Sequence, residues 1–197
     1  NGSARLGIDR VTERAKRRGD GVVYLQGGED YTSYYWQDCE PDFLVYSYIG
    51  RFAFDFSATT VVSSGGFWEG CQRRSVEDVL TVWTHAQHHN DLELILPIDS
   101  IYTTGVRFTL FGDEIWESVV QQLVDESESF TLETYFDRLD HDRIVRIIRK
   151  YGAVFEEFLS HNIEFVFEGV TVFEIRNGFG LPTLRVVFES PKKTASS

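Results

Sequence analysis

Methionine is missing from this 197-residue sequence, position 1 included, and cysteine occurs only twice. A chain that lacks an initiator methionine is expected to be a trimmed or processed product. Two thiols, Cys39 and Cys71, are too few for a disulfide-held scaffold, and whether they pair is left open. No stretch approaches the roughly 18 consecutive apolar residues that a bilayer span requires. No charged-then-apolar leader opens the chain, so the expectation is a soluble protein of unspecified compartment. Lysine is limited to Lys16, Lys150, Lys192 and Lys193. None of them lies on an expected core strand, which weakens a nuclease-type carboxylate and lysine site opening at Pro41-Asp42. Phosphate-cradling loops that end in Lys-Ser/Thr, G-x-G-x-x-G turns, G-x-S-x-G elbows, C-x-x-C pairs and EF-hand loops do not occur.

What is present is an unusual pairing of acid and aromatic. The chain has 31 Asp and Glu against 19 Lys and Arg, for a net charge of −12, and carries 16 Phe, 9 Tyr and 4 Trp. The charge is segregated. Residues 1–20 hold Arg5, Arg10, Arg14, Lys16, Arg17 and Arg18 against Asp9, Glu13 and Asp20, so this segment is +3 and the remainder −15. The expected organisation is a basic N-terminal arm over 1–20, one α+β domain over 21–190 and a disordered tail over 191–197. Such an arm can meet an anionic partner, its own acidic body or a sister subunit, and a frayed, solvated helix is the plain alternative. An anionic body excludes nucleic acid as a partner of the main domain.

Periodicity predicts a helix over 3–18 and strands over 22–26, 43–48 and 51–62. In the last of these, Phe52, Phe54 and Phe56 alternate with Arg51, Ala53, Asp55 and Ser57. Ser63-Ser64-Gly65-Gly66 breaks that strand. Ser75 followed by Asp78 reads as the N-cap of a helix over 76–89 with Val76, Val79, Leu80 and Trp83 inward. Strands are expected at 92–96 and 101–111. Helices are expected at 113–125, 131–139 and 141–160, the last broken at Gly152. Phe165, Phe167 and residues 170–175 return to a β pattern, and Asn177-Gly178 is a hairpin turn leading to 184–188. Strands at both ends with a central helical block packed against the sheet imply an α+β fold of mostly antiparallel strands.

Three groups of residues attract a functional reading. Tyr31, Tyr34, Tyr35 and Trp36, beside Asp38 and Glu40, combine rigid amphipathic rings with carboxylates. That suits a protein contact or, alternatively, a platform for sugar rings. Arg143, Arg146, Arg149 and Lys150 form a basic ridge opposite Ile144, Ile147, Ile148 and Tyr151, able to hold a phosphate or carboxylates or to pair within the molecule. His85, His88 and His89 share a helix face opposite the apolar stripe. With Asp91, or with the Asp140-His141-Asp142 run, they could ligate a metal, although solvated histidines near a helix C-terminus are the ordinary reading.

The expected function is a non-catalytic, acidic protein–protein interaction or assembly domain, either an inhibitor-like partner or a structural subunit, such as one of a viral assembly. Its partner would carry a basic surface, a homo-oligomer is allowed, and no cofactor is expected. The alternatives are a metal-dependent hydrolase built on the histidine face and a carbohydrate-binding module built on residues 31–36.

Overall fold

The computed structural model describes residues 2–26, 43–46, 59–66, 68, 71–85, 91–103, 130–154, 163–168, 172–177 and 183–191. In chain order these form α1 (Gly2–Arg18), β1 (Val23–Gln26), β2 (Phe43–Tyr46), β3 (Thr60–Val62), α2 (Cys71–His85), β4 (Leu92–Pro97) and β5 (Tyr102–Thr103). They continue with β6 (Phe130–Thr131), α3 (Leu132–Phe136), α4 (His141–Val154), β7 (Ile163–Glu168), β8 (Val172–Asn177) and β9 (Leu184–Glu189).

The central sheet has the strand order β3-β4-β9-β8-β7. β3 with β4 and β4 with β9 are parallel, whereas β9 with β8 and β8 with β7 are antiparallel. The separate pair β1 and β2 is parallel as well, and the short β5 and β6 pair is antiparallel. The expectation of a mostly antiparallel sheet is therefore overturned. Its error has a physical cause. The expectation grouped the strands at the two chain ends around a central helical block and gave no weight to the helix expected over 76–89, which separates two of them. The alternation seen in β9, and in β4 up to Pro97, does not decide direction. Alternation reports which face is buried, but strand direction is set by the connections. β3, α2 and β4 form a strand–helix–strand crossover, and that connection makes neighbouring strands parallel.

The core lies on one face of β4 and β9. Their register sets Leu92 beside Leu184, Leu94 beside Val186 and Leu96 beside Phe188, all six buried. On the opposite face Glu93 aligns with Arg185, and their side chains form a 2.6 Å ion pair. Over the apolar face lie Val76 and Val79 of α2, Leu132, Tyr135 and Phe136 of α3, and Ile147 and Ile148 of α4. Trp68 and Phe136 both pack on Phe188, with centroids 5.5 and 6.4 Å away and tilted rings. Tilted contacts of this kind let the positive edge of one ring meet the negative face of the next.

Helix limits differ from the spacing-based expectations in three places, one being α3, which ends at Phe136 and not at the expected 139. α2 begins at Cys71, so Ser75 lies inside the helix. Its first turn is anchored by Gln72, whose amide donates to the Ser63 carbonyl (3.3 Å) and hydroxyl (3.1 Å), and Arg73 adds a 2.7 Å i,i+4 pair to Glu77. α4 runs through Gly152 to Val154. An interior glycine costs a helix only about 1 kcal/mol relative to alanine, which the buried Ile147 and Ile148 face outweighs. The starts of α3 and α4 are capped by side chains. Thr131 Oγ1 accepts from the Thr134 amide (3.2 Å) and Asp140 Oδ1 from the Arg143 amide (2.9 Å).

The expected strand over 51–62 is described only at β3. Phe52, Phe54 and Phe56, the expected helix over 113–125 and the tail from 192 lie outside the described residues. Leu94 is fully buried between the aligned strands and the helices. Leu94→Ala is expected to cost about 3 kcal/mol, within the range for buried leucines that leave a cavity. The shift in the urea midpoint checks this, and a loss below about 1 kcal/mol would place Leu94 outside the cooperative core.

Candidate functional site

Of the residues that the sequence singles out, the aromatic group Tyr31, Tyr34, Tyr35, Trp36, Asp38 and Glu40 lies outside the described residues, as do His88, His89 and the Pro41-Asp42 pair. His85 is the last residue of α2. Asp91 stands just before β4, where Oδ1 accepts from the Thr183 amide (2.7 Å) and hydroxyl (3.2 Å). The Leu92 amide donates to the Thr183 carbonyl in the same place (3.0 Å), so Asp91 ties together the entering ends of β4 and β9. Among the described residues no group of three or more His, Cys, Asp or Glu side chains is arranged to hold a metal ion.

Two members of the basic ridge on α4, Arg143 and Arg146, are engaged locally, and the Lys150 side chain lies outside the described residues. Arg143 pairs with Asp140 (3.3 Å), and Arg146 Nε donates to the Asp142 carbonyl (3.4 Å). His141 Nδ1 lies 3.4 Å from Asp142 Oδ1 at an exposed position. The Asp140-His141-Asp142 run is thus the start of a helix, with Asp140 as its cap.

A different set of residues converges at the carboxyl ends of the parallel strands β3, β4 and β9. Helix α1 lies across these ends in the order of the strands. Its Ile8 side chain approaches Gly65, in the loop after β3: a Cβ at Gly65 would lie 3.6 Å from Ile8 Cδ1. Arg10 grips Asp99 after β4 through Nε (3.2 Å) and Nη2 (2.8 Å). Arg14 grips Glu189, the last residue of β9, through both terminal nitrogens (3.3 and 3.2 Å). One helical step of four residues advances about 6 Å, and adjacent strands lie about 4.8 Å apart. Arginines at i and i+4 therefore match carboxylates on neighbouring strand ends.

Close approach of α1 depends on Gly7. A Cβ there would lie 2.5 Å from the Asp99 carbonyl oxygen, 2.8 Å from its carbon and 2.9 Å from the Ser100 Cα. All three are backbone atoms and cannot swing aside. Val11 is buried alongside, whereas Leu6 remains 70% exposed. The far end of α1 is closed by Gly19 at φ 73°, with the Gly19 amide bonded to the Lys16 carbonyl (3.1 Å) and the Asp20 amide to the Ala15 carbonyl (3.0 Å). This is the Schellman arrangement, in which a left-handed glycine satisfies the last carbonyls.

The surface under α1 is firmly built. Gly65 and Gly66 have φ of 77° and 69°, a conformation that other residues adopt only at a cost. The Gly65 amide donates to the Ser100 carbonyl (3.0 Å), the Tyr102 amide to the Gly66 carbonyl (3.0 Å) and the Trp68 amide to the Tyr102 carbonyl (2.8 Å). Buried Ser63 meets Gln72 and the Ser75 hydroxyl (3.2 Å), and the buried Ser100 hydroxyl donates to the Pro97 carbonyl (2.8 Å).

α1 itself is held more lightly. Partly exposed ion pairs contribute at most about 1 kcal/mol each, and burying one valine adds about 1.5–2 kcal/mol. These attachments are small beside the 5–15 kcal/mol typical of a whole domain. Asp99, Glu189 and Gly7 were not candidates from the sequence. The available signals were a glycine inside a helical pattern and arginines at i and i+4.

Comparison of the chain with protein-family models, with curated proteins and with solved structures finds no match.

Gly7 offers a test in which the sign of the effect is diagnostic. In a solvated helix Gly→Ala would stabilise by about 0.8–1 kcal/mol. Against the Asp99–Ser100 backbone, Gly7→Ala is expected instead to destabilise by about 1 kcal/mol or more and to speed amide exchange throughout α1. A stabilised variant with slower exchange would mean that α1 stands off the strand ends. For Arg10→Ala, exchange in α1 is expected to rise at low salt, with the difference from the parent chain shrinking at 1 M salt as screening removes the pair. A difference that does not change with salt would rule out an ionic attachment.

Proposed function

We propose that this chain is a non-catalytic, acidic protein–protein interaction or assembly domain whose partner presents a basic surface. The observation that carries the reading is the charge distribution, −15 beyond residue 20 against +3 before it. A surface of one sign speeds encounter with an oppositely charged partner and repels like-charged ones. The acidic body already receives a basic element in this way, since Arg10 and Arg14 of α1 bind Asp99 and Glu189. Rings such as Tyr34, Tyr35 and Trp36 would supply the desolvated anchors that charge alone does not provide. The metal-dependent alternative draws less support, because Asp91 and Asp140 hold a strand end and a helix cap.

The test uses the 197-residue chain as immobilised bait in an extract of its source. A specific partner is expected to be basic and to be released between about 0.1 and 0.5 M salt as the Debye length shortens. Tyr34→Ala/Trp36→Ala is expected to lower its affinity at least tenfold with the melting temperature unchanged. Capture indifferent to salt and to both rings would overturn the reading, as would steady turnover of a small substrate.

A further inference from the structure

We infer that α1 is an exchangeable docking helix, and that the strand-end surface carrying Asp99 and Glu189 accepts α1 from a second copy of this chain. The inference rests on the assembly reading above and gives it a contact. Three observations support a second copy as the occupant.

The first is complementarity between two parts of one sequence. The surface is matched to a helix with glycine at one position, arginine three residues later and arginine four residues after that. Gly7 meets the Asp99–Ser100 backbone, Arg10 meets Asp99 and Arg14 meets Glu189, each arginine through two bonds. Every copy of the chain carries both halves. A reciprocal exchange of α1 between two copies repeats both contacts and closes a two-fold dimer.

The second is the connection. α1 leaves the body through Gly19, Asp20 and Gly21, all exposed, and a Cβ placed at Gly19 or Gly21 would meet nothing within 4 Å. The Schellman cap, made within residues 15–20, travels with the helix. With that cap kept, redirecting α1 needs only a change of backbone angles beyond the Asp20 amide, at the exposed Asp20 and Gly21, and side chains do not hem in Gly21.

The third is the kind of attachment. Among the described side chains of α1 one large apolar group, Val11, is buried, Ile8 is half-buried beside Gly65, and two partly exposed arginine pairs complete the hold. Such contacts release and re-form without unfolding the core of β4, β9 and their helices. In one chain a short tether keeps α1 at an effective concentration in the millimolar range. Dilute chains close on themselves, and exchange takes over where copies are concentrated, as in an assembly.

Charge reversal removes the advantage of the tether. Arg10→Glu/Arg14→Glu leaves the surface intact but spoils the helix, and Asp99→Arg/Glu189→Arg does the converse. Neither variant can seat its own α1. Mixed at about 20 µM, they are expected to form a 1:1 dimer of twice the 22.7 kDa chain mass, one half using native pairs and the other reversed pairs. Size-exclusion chromatography with light scattering reads the mass. Failure to form the mixed dimer overturns the inference. A chain carrying all four reversals then shows which part failed: a restored melting temperature means that the pairs form only within one chain.

Should either variant fail to fold, the parent chain supplies the measurement. Size-tagged and untagged copies are mixed at about 1 mM in 1 M salt, then returned to low salt. Co-eluting mixed dimers, lost in Gly7→Leu, support exchange, and exclusively monomeric elution overturns it. A chain that stays monomeric but still captures a basic partner in a salt-dependent way keeps the function proposed above and loses only this inference.

Discussion

The parallel register of β4 with β9 is the constraint on which the described structure depends. It aligns Leu92, Leu94 and Leu96 with Leu184, Val186 and Phe188, giving the helices one continuous apolar face. The same register determines what happens at the strand ends. Because the two strands run the same way, their carboxyl ends emerge together, and the carboxylates that follow or end them, Asp99 and Glu189, come within reach of one helix. Had the strands been antiparallel, the two acids would sit at opposite edges and could not both meet Arg10 and Arg14. Core packing and the acidic docking surface thus follow from one pairing.

The carboxyl ends of parallel strands are also where open α/β sheets commonly place their ligand crevices. In this chain that edge is crossed by α1, and the groups beneath it are tied to each other. Ser63 bonds Gln72, Ser100 bonds the Pro97 carbonyl, and the Gly65-Gly66 turn is fastened to residues 100–102. These contacts make a rigid seat and leave the ionic pairs as the adjustable part. A seat that is stiffer than what it holds is the arrangement expected of a docking surface, where preorganisation lowers the cost of association.

How much of this could be read from residues alone depended on the range of the interaction. The inward faces of α2 and α4 followed from local spacing: Val76 and Val79, and Ile147 and Ile148, are buried where a 3.6-residue period puts them. α1 and the strands at 92 and 184 were likewise legible. The start of α2 was not, because Gln72 anchors it through a bond to Ser63 that spacing cannot express. Strand direction was misjudged, since grouping the strands at the chain ends passed over the helix between β3 and β4, and no local signal announces the parallel pairing of β4 with β9. The pairing of Arg10 with Asp99 and of Arg14 with Glu189 joins residues 89 and 175 positions apart. The charge segregation announced that the basic segment had an acidic counterpart. Only the topology chose which of 31 acidic side chains would serve.

That choice bears on why the acidic excess persists. A body of net −15 repels itself, and local pairs such as Glu93 with Arg185 and Glu77 with Arg73 relieve only part of that repulsion. Bringing +3 onto the strand ends relieves more, but through long, partly exposed side chains whose contribution falls with salt. Neutralisation by an apolar patch or a buried pair would have been permanent. Neutralisation by a tethered basic helix rests on partly exposed pairs and weakens as salt rises. The net charge of the body and the light hold on α1 are therefore linked: the acidic strand ends at Asp99 and Glu189 are neutralised by the chain's own Arg10 and Arg14, through pairs that salt weakens.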